Sequence, residues 1–388
     1  VLPDHERLIK SGITFVNHRI NSCVCTPSRS VFYTGQHIQH TKMFDNTNFP
    51  WIKSMSTDIR TVGDMMREAG YYSTYKGKRH LNKEFETVNK LGTPTKIFTQ
   101  EMMENGFSDY FCIGDIIAHH QGGYLHDGVI AAMSVSWLRG KGRELAAEGN
   151  PWFLAVNLVN PHDVMFYDTD LPGQPFQAPK ALTHVVREPN DPLDARQWTF
   201  TLPANHEQAL HAPGRPPAHY DFLRSHDALV GEIPDEEPRW RRRHNYNMFA
   251  YLDGDFVYKA VAYLKQGGDP KQLQQAGIVP NLMKVGAIRM VYDGQYVFAR
   301  YFSPKQHNRP TTVEELYRFN DVELFDTAGD PLEMNNLAAG ENRHKELVLA
   351  MNEKLNRLID AEVGEDRGQM LPGGIEAGWE VTPETMEL

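Results

Sequence analysis

Cys25-Thr26-Pro27-Ser28-Arg29, closed by Thr34-Gly35, places a thiol, a helix start and a fixed cation within one turn of each other. Thr26 has the side chain of an N-cap. Pro27 carries the φ that suits a first helical position, and Gly35 suits a left-handed stop one short helix later. Cys25 is thereby predicted at a helix N-terminus, where unpaired backbone N–H groups and the positive end of the helix dipole favour an oxyanion and a thiolate. Arg29 lies one turn further on. The pattern suits an anionic substrate, although a capped helix with a buried, inert cysteine uses the same residues.

Outward from this turn, helix and strand patterns alternate. His5–Lys10 reads as a short helix ended by Gly12, and Ile13–Val16 as a strand leading into the cysteine turn. Thr61–Ala69 reads as a helix and Tyr71–Tyr75 as its partner strand. Asp127–Leu138 is a predicted helix with Ile130, Met133 and Trp137 on one stripe, and Trp152–Leu158 is an apolar run suited to a central parallel strand. Such alternation predicts a layered α/β domain with both sheet faces covered. Ligands of open α/β sheets sit beyond the carboxyl ends of the strands, which is where His162 falls. Lys78 and His80, two apart on an extended segment, would point to the same face and meet one anion. A phosphate-loop reading of Gly77-Lys78 fails, because the Gly four residues earlier and the following Ser/Thr are both missing.

Between Phe166 and Pro238 prolines and charges are dense, which predicts a long irregular excursion of the kind used as a lid. Helical sequence follows around Tyr251–Leu264. Ile288–Tyr292 and Tyr296–Tyr301, joined across Asp293-Gly294, read as a β-hairpin. A closing helix over about Glu341–Ala361 carries Leu347, Met351, Leu355 and Leu358, with an acidic tail beyond Gly364. The 388 residues, 40% hydrophobic, suit one large domain and a smaller appendage. A formal charge of -10 argues against nucleic acid or an anionic membrane as the main partner. The three cysteines, Cys23, Cys25 and Cys112, cannot make a disulfide framework. No stretch is long and apolar enough to span a bilayer, and no charged-then-apolar leader is present. The compartment stays open between periplasmic or secreted and cytoplasmic. Zinc held by Cys23, Cys25, His37 and His40 matches no common ligand spacing.

Cys25-x-Pro27-Ser28-Arg29 with Thr34-Gly35 resembles the defining motif of the formylglycine-dependent sulfatases. Gly70-Tyr71-Tyr72 leading to Gly77-Lys78-Arg79-His80-Leu81 resembles their second signature. Pro151–Leu158 running into Asn160-Pro161-His162 is similar as well, as is Glu323-Leu324-Phe325-Asp326 running into Asp330–Leu337. Arg79 stands where the family commonly has Trp, Tyr33 where an aliphatic residue is usual and Cys23 where a small one is.

This resemblance implies an alkaline-phosphatase-like α/β/α domain with a mixed, largely parallel sheet over residues 1–265. A small C-terminal α+β subdomain of hairpin and helix would occupy residues 266–388. It implies a sulfuric ester hydrolase acting on a small-molecule or glycan sulfate ester, with Cys25 oxidised to formylglycine by a generating enzyme. In that role Arg29 steadies the aldehyde hydrate, Lys78 contacts sulfate, His80 hydrogen-bonds the nucleophile and His162 protonates the leaving alcohol. A phosphonate or phosphate ester hydrolase of the same superfamily, or a non-catalytic binder of sulfated ligands, are the alternatives. The resemblance also implies one Ca²⁺ against the nucleophile. Its ligands would come from an aspartate pair upstream of Pro3–Phe15 and from a later strand ending in Ser-Asp-His-Gly or Ser-Asp-Asn-Gly. Neither is found. Asp253 and Asp255 are weak substitutes inside a helix, so only Cys25, as formylglycine, is left of the metal ligands, and impaired catalysis is expected.

Overall fold

The structure is a computed structural model that describes residues 2–16, 18–47, 52–85, 95–112, 114–115, 121–163, 201–209, 211–221, 254–269, 272–279, 284–303, 309–340 and 343–364, with positions 192, 199 and 281. In chain order its N-terminal elements are α1 (Pro3–Ser11), α2 (Cys25–Thr34), α3 (Ile38–Thr41), α4 (Val62–Glu68), β1 (Tyr72–Gly77), α5 (Thr95–Glu104), α6 (Gly122–Arg139), α7 (Lys141–Ala147) and β2 (Trp152–Asn157). Then come α8 (Gly254–Lys265), β3 (Ala287–Tyr292), β4 (Tyr296–Phe302), α9 (Val313–Phe319), β5 (Asn320–Asp326) and α10 (Lys345–Leu358).

β1 and β2 run parallel, in register from Tyr72 opposite Trp152 to Gly77 opposite Asn157. Helix α4 feeds β1 and starts sharply. The Thr61 hydroxyl caps its first turn and the Asp64 carboxylate accepts from the Thr61 N–H. Beneath the sheet, Tyr75 is fully buried and touches Tyr33, Phe107 and Tyr110 with ring centroids 5.6, 5.2 and 6.2 Å away. Each such aromatic pair contributes about 0.5–1.5 kcal/mol beyond burial. Phe85, Phe98 and Met102 extend this core. On α6, Ile130 and Trp137 are buried and Met133 packs on the core, as the stripe predicts.

The C-terminal part is the antiparallel sheet β3-β4-β5, covered by α10 through Val348, Met351 and Leu355. The Asp293 carboxylate accepts from the Gln295 and Tyr296 N–H groups in the hairpin turn, the role a short acidic side chain fills in tight turns.

Several expectations are corrected. Ile13–Val16 forms no strand, and Ile13, Phe15 and Val16 are exposed, because no described strand offers them a ladder partner. Helix α6 begins at Gly122 rather than Asp127. Trp152–Leu158 is not a strand covered on both faces. Among the described residues β2 pairs with β1 alone, and Val156 and Leu158 are 43% and 45% exposed. The closing helix is shorter than expected, ends in a π turn over Ile359–Val363, and buries Val348 and Ile359 while leaving Leu358 outside. Most of the excursion between Phe166 and Pro238, Asp253, and the tail beyond Gly364 lie outside the described residues. Among the described residues no helix is long and apolar enough to cross a membrane.

Candidate active site

Helix α2 opens at Cys25 with Val24 as N-cap, the first bond running from the Ser28 N–H to the Val24 carbonyl. Thr26 is therefore not the cap. Its N–H donates to Asn46 Oδ1 at 3.0 Å, so the cap comes from a distant loop, and its hydroxyl is released to donate to the His80 carbonyl at 2.8 Å. Pro27 sits at the third helical position and has no N–H to offer. With the Thr26 donor also committed, the helix start presents less backbone to an anion than the motif predicts, and charge complementarity falls to side chains. Gly35 ends the helix at φ 68° with its N–H on the Val31 carbonyl, as expected.

At the end of β1, Gly77 has φ 95°, and a Cβ there would lie 2.0 Å from the Asn157 carbonyl oxygen. Only glycine lets the strands approach so closely, and the next N–H, of Lys78, reaches that oxygen at 3.0 Å. Beyond Lys78 the chain turns inward. His80 has φ 54°, so Lys78 and His80 are not side by side on an extended segment. Asp115 lies against this turn, its two carboxylate oxygens accepting the N–H groups of Arg79 (2.5 Å) and His80 (2.6 Å). From the other side Arg29 Nη1 donates to the Lys78 carbonyl at 2.8 Å. Arg29 and Thr26 thus tie α2 to the turn that carries both site residues.

His162 follows β2 on a loop held by a reciprocal pair of carboxylates. Asp127, on α6, accepts from the Val159 and Asn160 N–H groups at 2.6 and 3.0 Å. Asp163, on the loop, accepts from Gly123 and Tyr124 at the start of α6 at 2.9 and 2.8 Å. Asn157 closes the arrangement by accepting from the Tyr33 hydroxyl at 2.6 Å.

These segments lie within one another's electrostatic fields. Burial, then the cations Lys78 and Arg29, hold the His162 imidazole at about 3. His80 is pushed well below the usual histidine range by burial first and then by Lys78, Arg29 and His162. Both of its ring nitrogens are buried without a protein hydrogen-bond partner. Burial also lowers Lys78, against the raising fields of Cys25, Asp115 and Asp163. Both imidazoles are therefore neutral near pH 7 in the free site, so the acid role expected of His162 requires an anion to restore its proton.

The sulfatase family model matches residues 2–271 of the chain. The chain belongs to the sulfatase family. The chain is 27% identical over 180 residues to choline-sulfatase of Rhizobium meliloti (strain 1021), covering 42% of this chain and 33% of that protein. To arylsulfatase K of Danio rerio it is 26% identical over 173 residues, 44% of this chain and 31% of that one. The chain thus spans about a third of the length of these curated relatives. A protein of Bacteroides thetaiotaomicron VPI-5482, provisionally assigned as a sulfatase, has a crystal structure that superposes with a TM-score of 0.51 at 14% identity, over 91% of this chain and 85% of that one. That likeness shows the shared layered α/β fold.

The calcium site of the resemblance does not fit the donors described. A hard divalent cation takes six to eight oxygen ligands, mostly carboxylates. Among the described residues no group of three or more His, Cys, Asp or Glu side chains is arranged to hold a metal ion. The carboxylates beside the site, Asp115 and Asp163, already accept two backbone N–H groups each. Asp253 and the Asp255 side chain lie outside the described residues. His37 and His40 both engage Glu362. His37 Nε2 lies 2.6 Å from Glu362 Oε2, and His40 Nε2 lies 3.0 Å from the Glu362 carbonyl.

Reading the sequence proposes Cys25, Arg29, Lys78, His80 and His162 and passes over Asn46, Asp115, Asp127 and Asp163, whose hydrogen bonds hold those segments. Asp163, directly after His162, is the one with a visible signal. Asp115 has none, being a lone carboxylate outside every motif.

Proposed function

We propose that the site is built for a sulfate monoester and that the chain is a sulfuric ester hydrolase whose nucleophile is a formylglycine made from Cys25. One arrangement carries this reading. Cys25 and Arg29 from α2, Lys78 and His80 from the turn after β1, and His162 from the loop after β2 lie within one another's electrostatic fields.

Lys78 and Arg29 are the charges that hold the sulfate. The bond that Arg29 Nη1 gives to the Lys78 carbonyl leaves the other guanidinium donors for oxyanions. Cys25, oxidised to the aldehyde by a generating enzyme and hydrated, offers two hydroxyls. One attacks sulfur and forms an S–O bond as the bond to the alcohol oxygen breaks. The second then loses its proton, re-forms the carbonyl and expels sulfate. A neutral His80, buried with both ring nitrogens open, can take up that hydroxyl proton. Burial is the larger cause of the low His162 value, and negative charge arriving beside Lys78 and Arg29 offsets the two cations that add to it, which raises the proton affinity of His162 and favours its service as the acid for the departing alkoxide. No step is routed through calcium, because the described donors do not fit it. The alcohol, a small molecule or a glycan, is not narrowed further.

A second reading, sulfate binding without turnover, is favoured by that same gap in the donor set. Peptide mass at Cys25, together with turnover of an aryl sulfate against an aryl phosphonate, tests both. An aldehyde at Cys25 and preference for aryl sulfate are expected. Preference for the phosphonate overturns the sulfate assignment, and retained binding of sulfate with an unmodified thiol and no turnover selects the second reading.

A further inference from the structure

We propose that Asp115 is the positioning residue of the anion site: its carboxylate, bound to two consecutive backbone N–H groups, sets the turn that presents Lys78 and His80. The inference rests on the sulfate-site reading above and extends it to a residue outside the five assigned to that site.

Three observations carry it. First, the turn needs an external hold. β1 ends at Gly77, the ladder's last contact is the Lys78 N–H, and His80 adopts φ 54°, a region that non-glycine residues rarely populate. Secondly, Asp115 supplies it. Its Oδ1 and Oδ2 take the Arg79 and His80 N–H groups at 2.5 and 2.6 Å in a fully buried setting, so each is a charge-assisted bond sheltered from water. Thirdly, Asp115 is itself anchored. Its own N–H donates to the Phe85 carbonyl at 2.6 Å, and the Phe85 ring packs on Phe98 and Tyr110 with centroids 5.3 Å from each. Arg79 sends its buried guanidinium towards the Tyr75, Tyr33 and Tyr110 side of the core, so the turn is held through side chain and main chain together.

The sign of one measurement separates positioning from mere charge. Asp115 lies in the fields of Lys78 and Arg29, so neutralising it removes a negative charge beside an anion site. If charge were its whole contribution, inorganic sulfate would bind more tightly to Asp115→Asn. If it positions the turn, sulfate binds more weakly. Losing one buried charge-assisted bond corresponds to roughly tenfold in an equilibrium constant.

The test titrates inorganic sulfate into the wild-type chain and into Asp115→Asn, Asp115→Ala and Lys78→Ala by calorimetry. The Arg79 and His80 amide proton shifts are followed in protein labelled with ¹⁵N-arginine and ¹⁵N-histidine. Sulfate affinity is expected to fall about tenfold in Asp115→Asn and further in Asp115→Ala, with both amide protons moving upfield and the partial acceptor of Asn restoring part of the loss. Equal or tighter sulfate binding in both Asp115 variants, or unmoved amide shifts, overturns the proposal. If wild type binds no sulfate, or Lys78→Ala binds it equally well, the sulfate reading fails, and the amide shifts still decide whether Asp115 sets the turn. Should neither variant fold, Asp115→Glu moves the carboxylate by one methylene while keeping its charge. Weaker sulfate binding then supports the proposal and unchanged affinity refutes it.

Discussion

Acid should destabilise this protein through His162 in a measurable amount. Folding buries the imidazole beside Lys78 and Arg29 and holds it at about 3, against 6.5 for an unperturbed histidine. Because the folded value is the lower one, the unfolded chain binds the extra proton first. Stability is therefore intact above about pH 6.5 and is lost as pH falls towards the folded value. Between pH 7 and pH 5 the full linkage for one such group is about 2 kcal/mol, and about 1 kcal/mol once solvent at the partly open ring screens it. The perturbation is His162→Gln, which removes the titration while keeping a polar side chain. Other groups, including the still more deeply buried His80, remain in both proteins and largely cancel in the comparison. The assay is urea unfolding at pH 7 and pH 5. Wild type should lose about 1–2 kcal/mol more than His162→Gln over that interval. Equal losses in the two proteins would refute the claim that His162 is buried neutral among cations.

Gly77→Ala should cost about 3 kcal/mol or more in urea unfolding, since φ 95° strains any side chain and the new methyl would meet the Asn157 carbonyl at 2.0 Å. A loss below about 1 kcal/mol would show that the two strands can separate cheaply. Asn46→Ala should lower stability by about 1 kcal/mol, the usual value of a helix cap, although Asn46 is 20 residues from the Thr26 N–H it serves. Thermal melting checks this, and an unchanged midpoint counts against capping from that loop. Val156→Lys, at a site 43% exposed on β2, should change stability by less than about 0.5 kcal/mol and raise solubility. A large destabilisation would instead mean that this face is buried.

Sequence alone determined what is local or chemical in this protein. Residue type and spacing place α2 and its glycine stop, the helix after Thr61, both parallel strands and the hairpin across Asp293-Gly294. They also single out the five residues proposed for the site. Such signals are legible because a cap, a turn or a strand depends on neighbours a few positions away. Tertiary structure alone decided how the site is held. Asn46 rather than Thr26 caps α2, Asp115 accepts both N–H groups of the turn after Lys78, and Asp127 and Asp163 clamp the loop before and after His162. Each partner lies 20 to 40 residues away in the chain. A carboxylate or amide gives no sign, from its own surroundings in the sequence, of which distant N–H groups it will satisfy. The same holds for charge state: His162 and His80 read as ordinary imidazoles until burial and two cations strip their protons. Burial and field depend on where every other segment packs, and no local pattern encodes them.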